Sequence, residues 1–142
     1  RPRRYRELAD LLLAHLFATS DDPTAAATAA GRTWGAQLIP RPAPFHKVTP
    51  VEAVDRLAAM LDDLDFAPEP VANRPGPPDR IRLRHCPFLE LAEPHRDLVC
   101  PLHLGLMQGA LTELGAPITV TALAPFAEPT ACLAHLAPNP AR

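Results

Sequence analysis

The chain carries only three cysteines, Cys86, Cys100 and Cys132, and each stands where chemistry can use it. Cys86 closes a strand-like run and is followed by Pro87 and Phe88. Cys100 opens a helix-like run with His103 three residues on, so the two share one helix face. Cys132 lies in the last strand-like run, near His135. A thiol at a helix N-terminus also faces the positive end of the dipole, which favours the metal-binding thiolate. Cys86, Cys100, His103 and Cys132 together make a three-thiolate, one-imidazole set that suits zinc or an iron–sulfur cluster of mixed ligation. The competing reading is three buried cysteines acting as small hydrophobes. His85, His95 and His135 are weaker ligand candidates.

Other constellations say less. Asp62, Asp63 and Asp65 read as a solvated acidic helix end. Ser20, the only serine, falls in a turn between helices, where a nucleophile is not expected. Gly105 and Gly109 are spaced to let their helix lie close on a sheet. Cys100 as a helix-terminal nucleophile lacks an orienting acid, so the sequence points away from an enzyme. An apolar pocket between sheet and helices, lined by Phe88, Leu102, Leu106 and Phe126, is the alternative binding site, with the cysteines incidental.

These residues need elements to position them. Leu8, Leu11, Leu12, His15 and Leu16 recur at helical spacing over 4–18. Asp22-Pro23 starts a second, alanine-rich helix running to about Leu38, with Gly31 and Gly35 allowing close approach of another element. A proline-rich connector over 39–48 leads to Thr49-Pro50-Val51-Glu52, a capping box that opens a third helix. A strand over 66–71, a turn-rich loop over 73–79 and the alternating Arg80-Ile81-Arg82-Leu83-Arg84 form a hairpin with an arginine-lined outer face. A helical pattern covers 94–114, with Pro101 marking the expected start of its main part and Gly115 the stop. Strands over 118–123 and 131–136, joined by a turn at Ala127-Glu128-Pro129, complete the order. The expectation is an α+β domain: N-terminal helices, then a ββαββ unit forming an antiparallel sheet with helices packed on it. In that topology the last strand passes beside the second and brings Cys132 towards Cys86.

With 142 residues the chain has room for one domain with a real core, burying roughly 70% of its unfolded surface. Hydrophobic content of 47% and charge of 21% place it among globular proteins, and a net charge of −2 exerts no global pull on nucleic acid. No apolar run is long enough for a bilayer and no signal peptide is visible, so the expectation is a cytoplasmic protein that avoids structural disulfides. Its 19 prolines cluster as punctuation rather than as a disordered tract.

His85-Cys86-Pro87-Phe88, Leu98-Val99-Cys100-Pro101-Leu102-His103, Gly109, Ala124-Pro125-Phe126 and Cys132 resemble the C-terminal half of winged-helix regulators related to ArsR and the iron–sulfur regulator SufR. The pattern is also similar to the 4-vinyl-reductase-type ligand-binding domain. The opening Arg1-Pro2-Arg3-Arg4-Tyr5-Arg6 looks like the end of the wing in such a regulator. The resemblance implies a homodimeric effector domain whose operator DNA is read by a DNA-binding domain not present in this chain. It implies a cluster held by the matching thiols Cys86, Cys100 and Cys132. The iron–sulfur members have one more cysteine between the last two, whereas Glu113 to Pro117 has none here. Either His103 or an outside ligand then completes the site, or the domain binds a small molecule instead.

Overall fold

The computed structural model describes residues 2–128 and 131–139. Five helices and four strands follow one another as α1 (Pro2–Thr19), α2 (Pro23–Leu38), α3 (Pro50–Asp63), β1 (Pro68–Val71), β2 (Arg80–Leu83), α4 (Leu89–Ala92), α5 (Arg96–Glu113), β3 (Ile118–Glu128) and β4 (Ala131–Pro138). The strands form one antiparallel sheet in the order β1-β2-β4-β3. The domain is thus α+β, with helices packed on the sheet, as its alternation pattern predicts. No helix among the described residues is long and apolar enough to cross a membrane.

Proline content has a structural use at both sheet edges. Pro68 and Pro70 sit in β1 and Pro125 in β3, the two outer strands, where a missing N–H breaks no interior ladder. The same residues deny other chains a template for strand addition. Pro125 falls inside a register irregularity between Ala124 and Glu128. The turn expected at Ala127-Glu128-Pro129 lies further on, since Ala127 and Glu128 still belong to β3; Pro129 is outside the described residues.

Ile81, Val120 and Ala134 are fully buried on the inner face of the sheet against α3 and α5. The outer face of β2 is basic, and Glu69 of β1 lies opposite Arg82 in register. Its carboxylate accepts from Arg84 Nε at 3.0 Å and also from Arg82. The Arg84 hydrogen bond, followed by that of Arg82, holds the Glu69 carboxyl below its usual range. On α3, Thr49 Oγ1 accepts from Glu52 N at 3.1 Å. The reciprocal half of the capping box is diverted: the Glu52 carboxylate binds His46 and Arg56 instead.

The tightest packing joins α2 to α5. A Cβ on Gly31 would stand 2.0 Å from the Leu102 carbonyl oxygen, and one on Gly35 2.0 Å from that of Leu106. In return, a Cβ on Gly105 or Gly109 would stand 2.1 Å from the Thr28 or Arg32 carbonyl oxygen. Gly105 and Gly109 therefore face α2, not the sheet as the spacing alone suggests. Gln108, between them, accepts from Arg32 of α2 and donates to the Val120 carbonyl of β3 at 2.9 Å.

The first helix departs most from its sequence pattern. Ala9, Leu13 and Leu16 turn inward, while Leu8, Leu11 and Leu12 are 53%, 67% and 58% exposed. The apolar arc of α1 is wider than the surface it covers on its own domain.

Candidate functional site

Each cysteine is placed by a separate element. After β2 the chain is drawn alongside 66–67, with Arg84 N donating to Ala67 O and His85 N to Phe66 O. His85 Nδ1 donates to the Asp65 carbonyl at 2.6 Å, which gives this histidine a structural role. Cys86 follows, and its carbonyl accepts from Leu89 N at 3.1 Å as the chain turns into α4. Asp65 and Ala67 both have left-handed backbones, with φ of 69° and 49°. Such geometry is costly for residues other than glycine, and here it frames Phe66, which is fully buried.

Cys100 and His103 come from α5, which starts at Arg96 rather than at Pro101. Proline inside a helix removes the N–H that would bond to the carbonyl four residues back. For Pro101 that carbonyl belongs to Asp97, and the Thr24 hydroxyl of α2 donates to it at 3.3 Å. Cys100 therefore sits in the second turn of α5, away from the N-terminal N–H groups that the sequence pattern had placed beside it. Cys132 lies on the inner face of β4, directly opposite Leu83 of β2.

The structure brings Cys86, Cys100, His103 and Cys132 onto the wall of a single cavity of about 200 Å³. Phe66, Leu83, Phe88, Val99 and Leu123 supply its apolar walls, and Arg84 and His85 also line it. None of the three cysteines forms a disulfide, and all are half-buried. Burial pushes the Cys100 thiol up to about 11, and the neighbouring Cys132 and Cys86 thiols add to the shift. Burial likewise raises the Cys86 thiol, opposed by a hydrogen bond from the Phe88 backbone and reinforced by Cys132. The thiols are thus close enough for a charge on one to oppose a charge on another, and those of Cys86 and Cys100 rest protonated. This overturns the thiolate expected at Cys100 from a helix-end position.

His103 is 7% exposed and its ring stacks on Phe66, centroids 4.1 Å apart. Its Nε2 is buried without a hydrogen-bond partner. Burial lowers its pKa to about 3, so the ring is neutral at physiological pH and able to offer a lone pair. An unpartnered buried ring nitrogen is uncommon and calls for an explanation. Among the described residues, no group of three or more His, Cys, Asp or Glu side chains is close enough to hold one metal ion. The four donors surround a space rather than a point.

The alternative apolar pocket is divided. Phe88 lines the thiol cavity and meets Phe66 and Trp34 at ring-centroid distances of 5.9 and 6.2 Å. Leu102 does not line that cavity; it lines a neighbouring groove with Leu12, Leu13, Trp34 and Phe88 itself, so Phe88 and Leu102 do share one apolar groove. Leu106 is sealed in the core, and the Phe126 side chain lies outside the described residues. Phe66 and Leu123, which do line the cavity, read in sequence as ordinary strand residues. His95 contacts Asp10 of α1, and His135 pairs across the sheet with Arg80. Asp62, Asp63 and Asp65 are exposed at the end of α3.

No protein-family model, no curated protein and no solved structure matches this chain.

Proposed function

We propose that this chain is the sensor and dimerisation domain of a transcriptional regulator, and that its cavity takes an iron–sulfur cluster through Cys86, Cys100 and Cys132 with His103 as the fourth donor. The observation that carries the reading is the convergence of three cysteines and His103, whose Nε2 is buried without a partner, from three separate elements on one cavity. A single zinc ion needs every donor about 2.0–2.3 Å from one centre. A cavity of about 200 Å³ between the donors suits a body of several atoms better. The protonated Cys86 and Cys100 thiols do not oppose this, because metal binding itself removes thiol protons. When bound, the cluster would supply a redox- or oxygen-sensitive tie between donors on separate elements. Cys86 anchors the segment after β2, Cys100 and His103 the second turn of α5, and Cys132 the edge of β4. Occupancy would then bias how the N-terminal helices sit, and through them a DNA-reading domain on operator DNA.

The regulatory part of the reading is supported by the resemblance of His85–Phe88, Leu98–His103 and Cys132 to the ArsR- and SufR-related regulators. Homodimer formation is supported by the exposed Leu8, Leu11 and Leu12 of α1. A second reading keeps the regulator but fills the cavity with a small apolar molecule. The mostly apolar walls and the neutral Cys86 and Cys100 thiols favour it. Iron, sulfide and zinc measured after anaerobic purification and reconstitution decide between them. About four irons and four sulfides, or two and two, per chain support the cluster. Values near zero for all three elements refute metal binding and leave the small-molecule reading.

A further inference from the structure

The thiol cavity adjoins a hollow that α1 walls on one side. This second and wider hollow, about 630 Å³, lies between the first half of α1 and the segment after β2. Tyr5, Arg6 and Ala9 line it from the α1 side, and Cys86, Phe88 and Leu89 line both this hollow and the thiol cavity. The two hollows therefore adjoin, with Cys86 in the wall between them. Two polar contacts hold α1 across it. Arg6 donates to Glu90 of α4 at 2.8 Å, and Asp10 meets His95, which immediately precedes α5. Both contacts end on α4 or the start of α5, the elements that flank Cys86 and lead to Cys100. Apolar attachment is thin: among the described side chains of α1, Ala9, Leu13 and Leu16 are the half-buried ones.

We propose that α1 is a latched cover beside the thiol cavity, with Arg6–Glu90 and Asp10–His95 as its latches, and that its release widens the access of solvent and incoming cofactor to the half-buried Cys86. The proposal rests on the cavity being the functional site, as above, but not on what fills it. The Arg6 and Glu90 side chains are 43% and 71% exposed. Exposed ion pairs are weak, which suits a contact that must open. Movement of α1 and access to the cavity are then one event: a force on α1 changes loading, and loading changes the position of α1.

The test uses the full chain, metal-free and reduced, with iodoacetamide labelling of Cys86 followed by mass spectrometry at one pH. Arg6→Glu and Glu90→Arg each raise the labelling rate about two- to fivefold, the span that loss of an exposed ion pair allows. The combined Arg6→Glu/Glu90→Arg protein restores the pair in reverse and returns the rate to that of the parent. Glu90→Gln, a milder change, gives a smaller rise and guards against misfolding of the charge reversals. Unchanged labelling in all single variants, or faster labelling that the double reversal fails to correct, overturns the proposal. Because no metal is present, a negative result here leaves the cluster reading standing, and absence of a cluster leaves this one standing.

Discussion

Gly31→Ala tests the α2–α5 contact and the site together. The added methyl carbon would stand 2.0 Å from the Leu102 carbonyl oxygen and 2.9 Å from the Leu106 amide nitrogen. Both obstacles are backbone, so no side chain can rotate out of the way. Ordinary contact begins near 3.4 Å, so the helices must part locally by about 1.4 Å. A gap of ~1 Å already forfeits up to half of the dispersion attraction between facing atoms. Overpacking of this kind costs typically 1–3 kcal/mol, and backbone obstruction places it at ~3. Replacing glycine by alanine in a helix returns about 1 kcal/mol. The net expectation is a loss of ~2 kcal/mol, read by urea unfolding as a lower midpoint with an unchanged slope. The obstructed turn lies between Cys100 and Leu106, so on the proposed reading the same variant also weakens retention of the cluster. A Gly31→Ala protein within ~0.5 kcal/mol of the parent would refute the close approach described here.

Three further outcomes follow from the chemistry of the site. His103 is neutral when folded, with its pKa lowered to about 3, whereas the unfolded chain takes up a proton near 6.5. Stability is therefore intact above pH 6.5 and falls by up to ~1.4 kcal/mol per pH unit as pH drops from there towards 3; His103→Phe flattens that slope in unfolding curves taken across the range, and an unchanged slope counts against the assignment. With the Cys100 thiol near 11, its thiolate fraction at neutral pH is roughly a hundredfold below that of an ordinary thiol. Alkylation of Cys100 in metal-free protein is slower to match, and fast selective labelling would revive a nucleophilic role. Leu8→Glu with Leu11→Glu converts a dimer to monomer in analytical ultracentrifugation without lowering the unfolding midpoint of the monomer, since both side chains are exposed within one chain; a parent that already sediments as a monomer removes the dimer proposal.

Much of the architecture is written locally. Asp22-Pro23 and Thr49-Pro50 start helices where their caps predict, and Asp22 Oδ1 accepts from Ala25 N at 3.1 Å. Alternation in 80–84 marks β2 and its basic face, and hairpin connectivity leaves β4 beside β2. The convergence of Cys86, Cys100, His103 and Cys132 on one cavity follows from that topology. What the sequence hides is what depends on distant partners. Pro101 reads as a helix start because nothing nearby reveals that Thr24 can satisfy the stranded Asp97 carbonyl. Gly105 and Gly109 are legible as a site of close approach, but their partner is set by the matching glycines on α2. The protonation of the thiols likewise depends on burial that no local pattern encodes.

The meshing of α2 with α5 also dictates how a signal can travel. With backbone against backbone at four glycines, and Gln108 tying both helices to β3, there is no slack for one helix to slide on the other. The pair behaves as a single stiff lever, bolted to the sheet. On the proposed reading, a signal arising at Cys100 leaves the domain more readily through the short α4 and the strap-like α1, joined by the exposed Arg6–Glu90 pair, than through this lever.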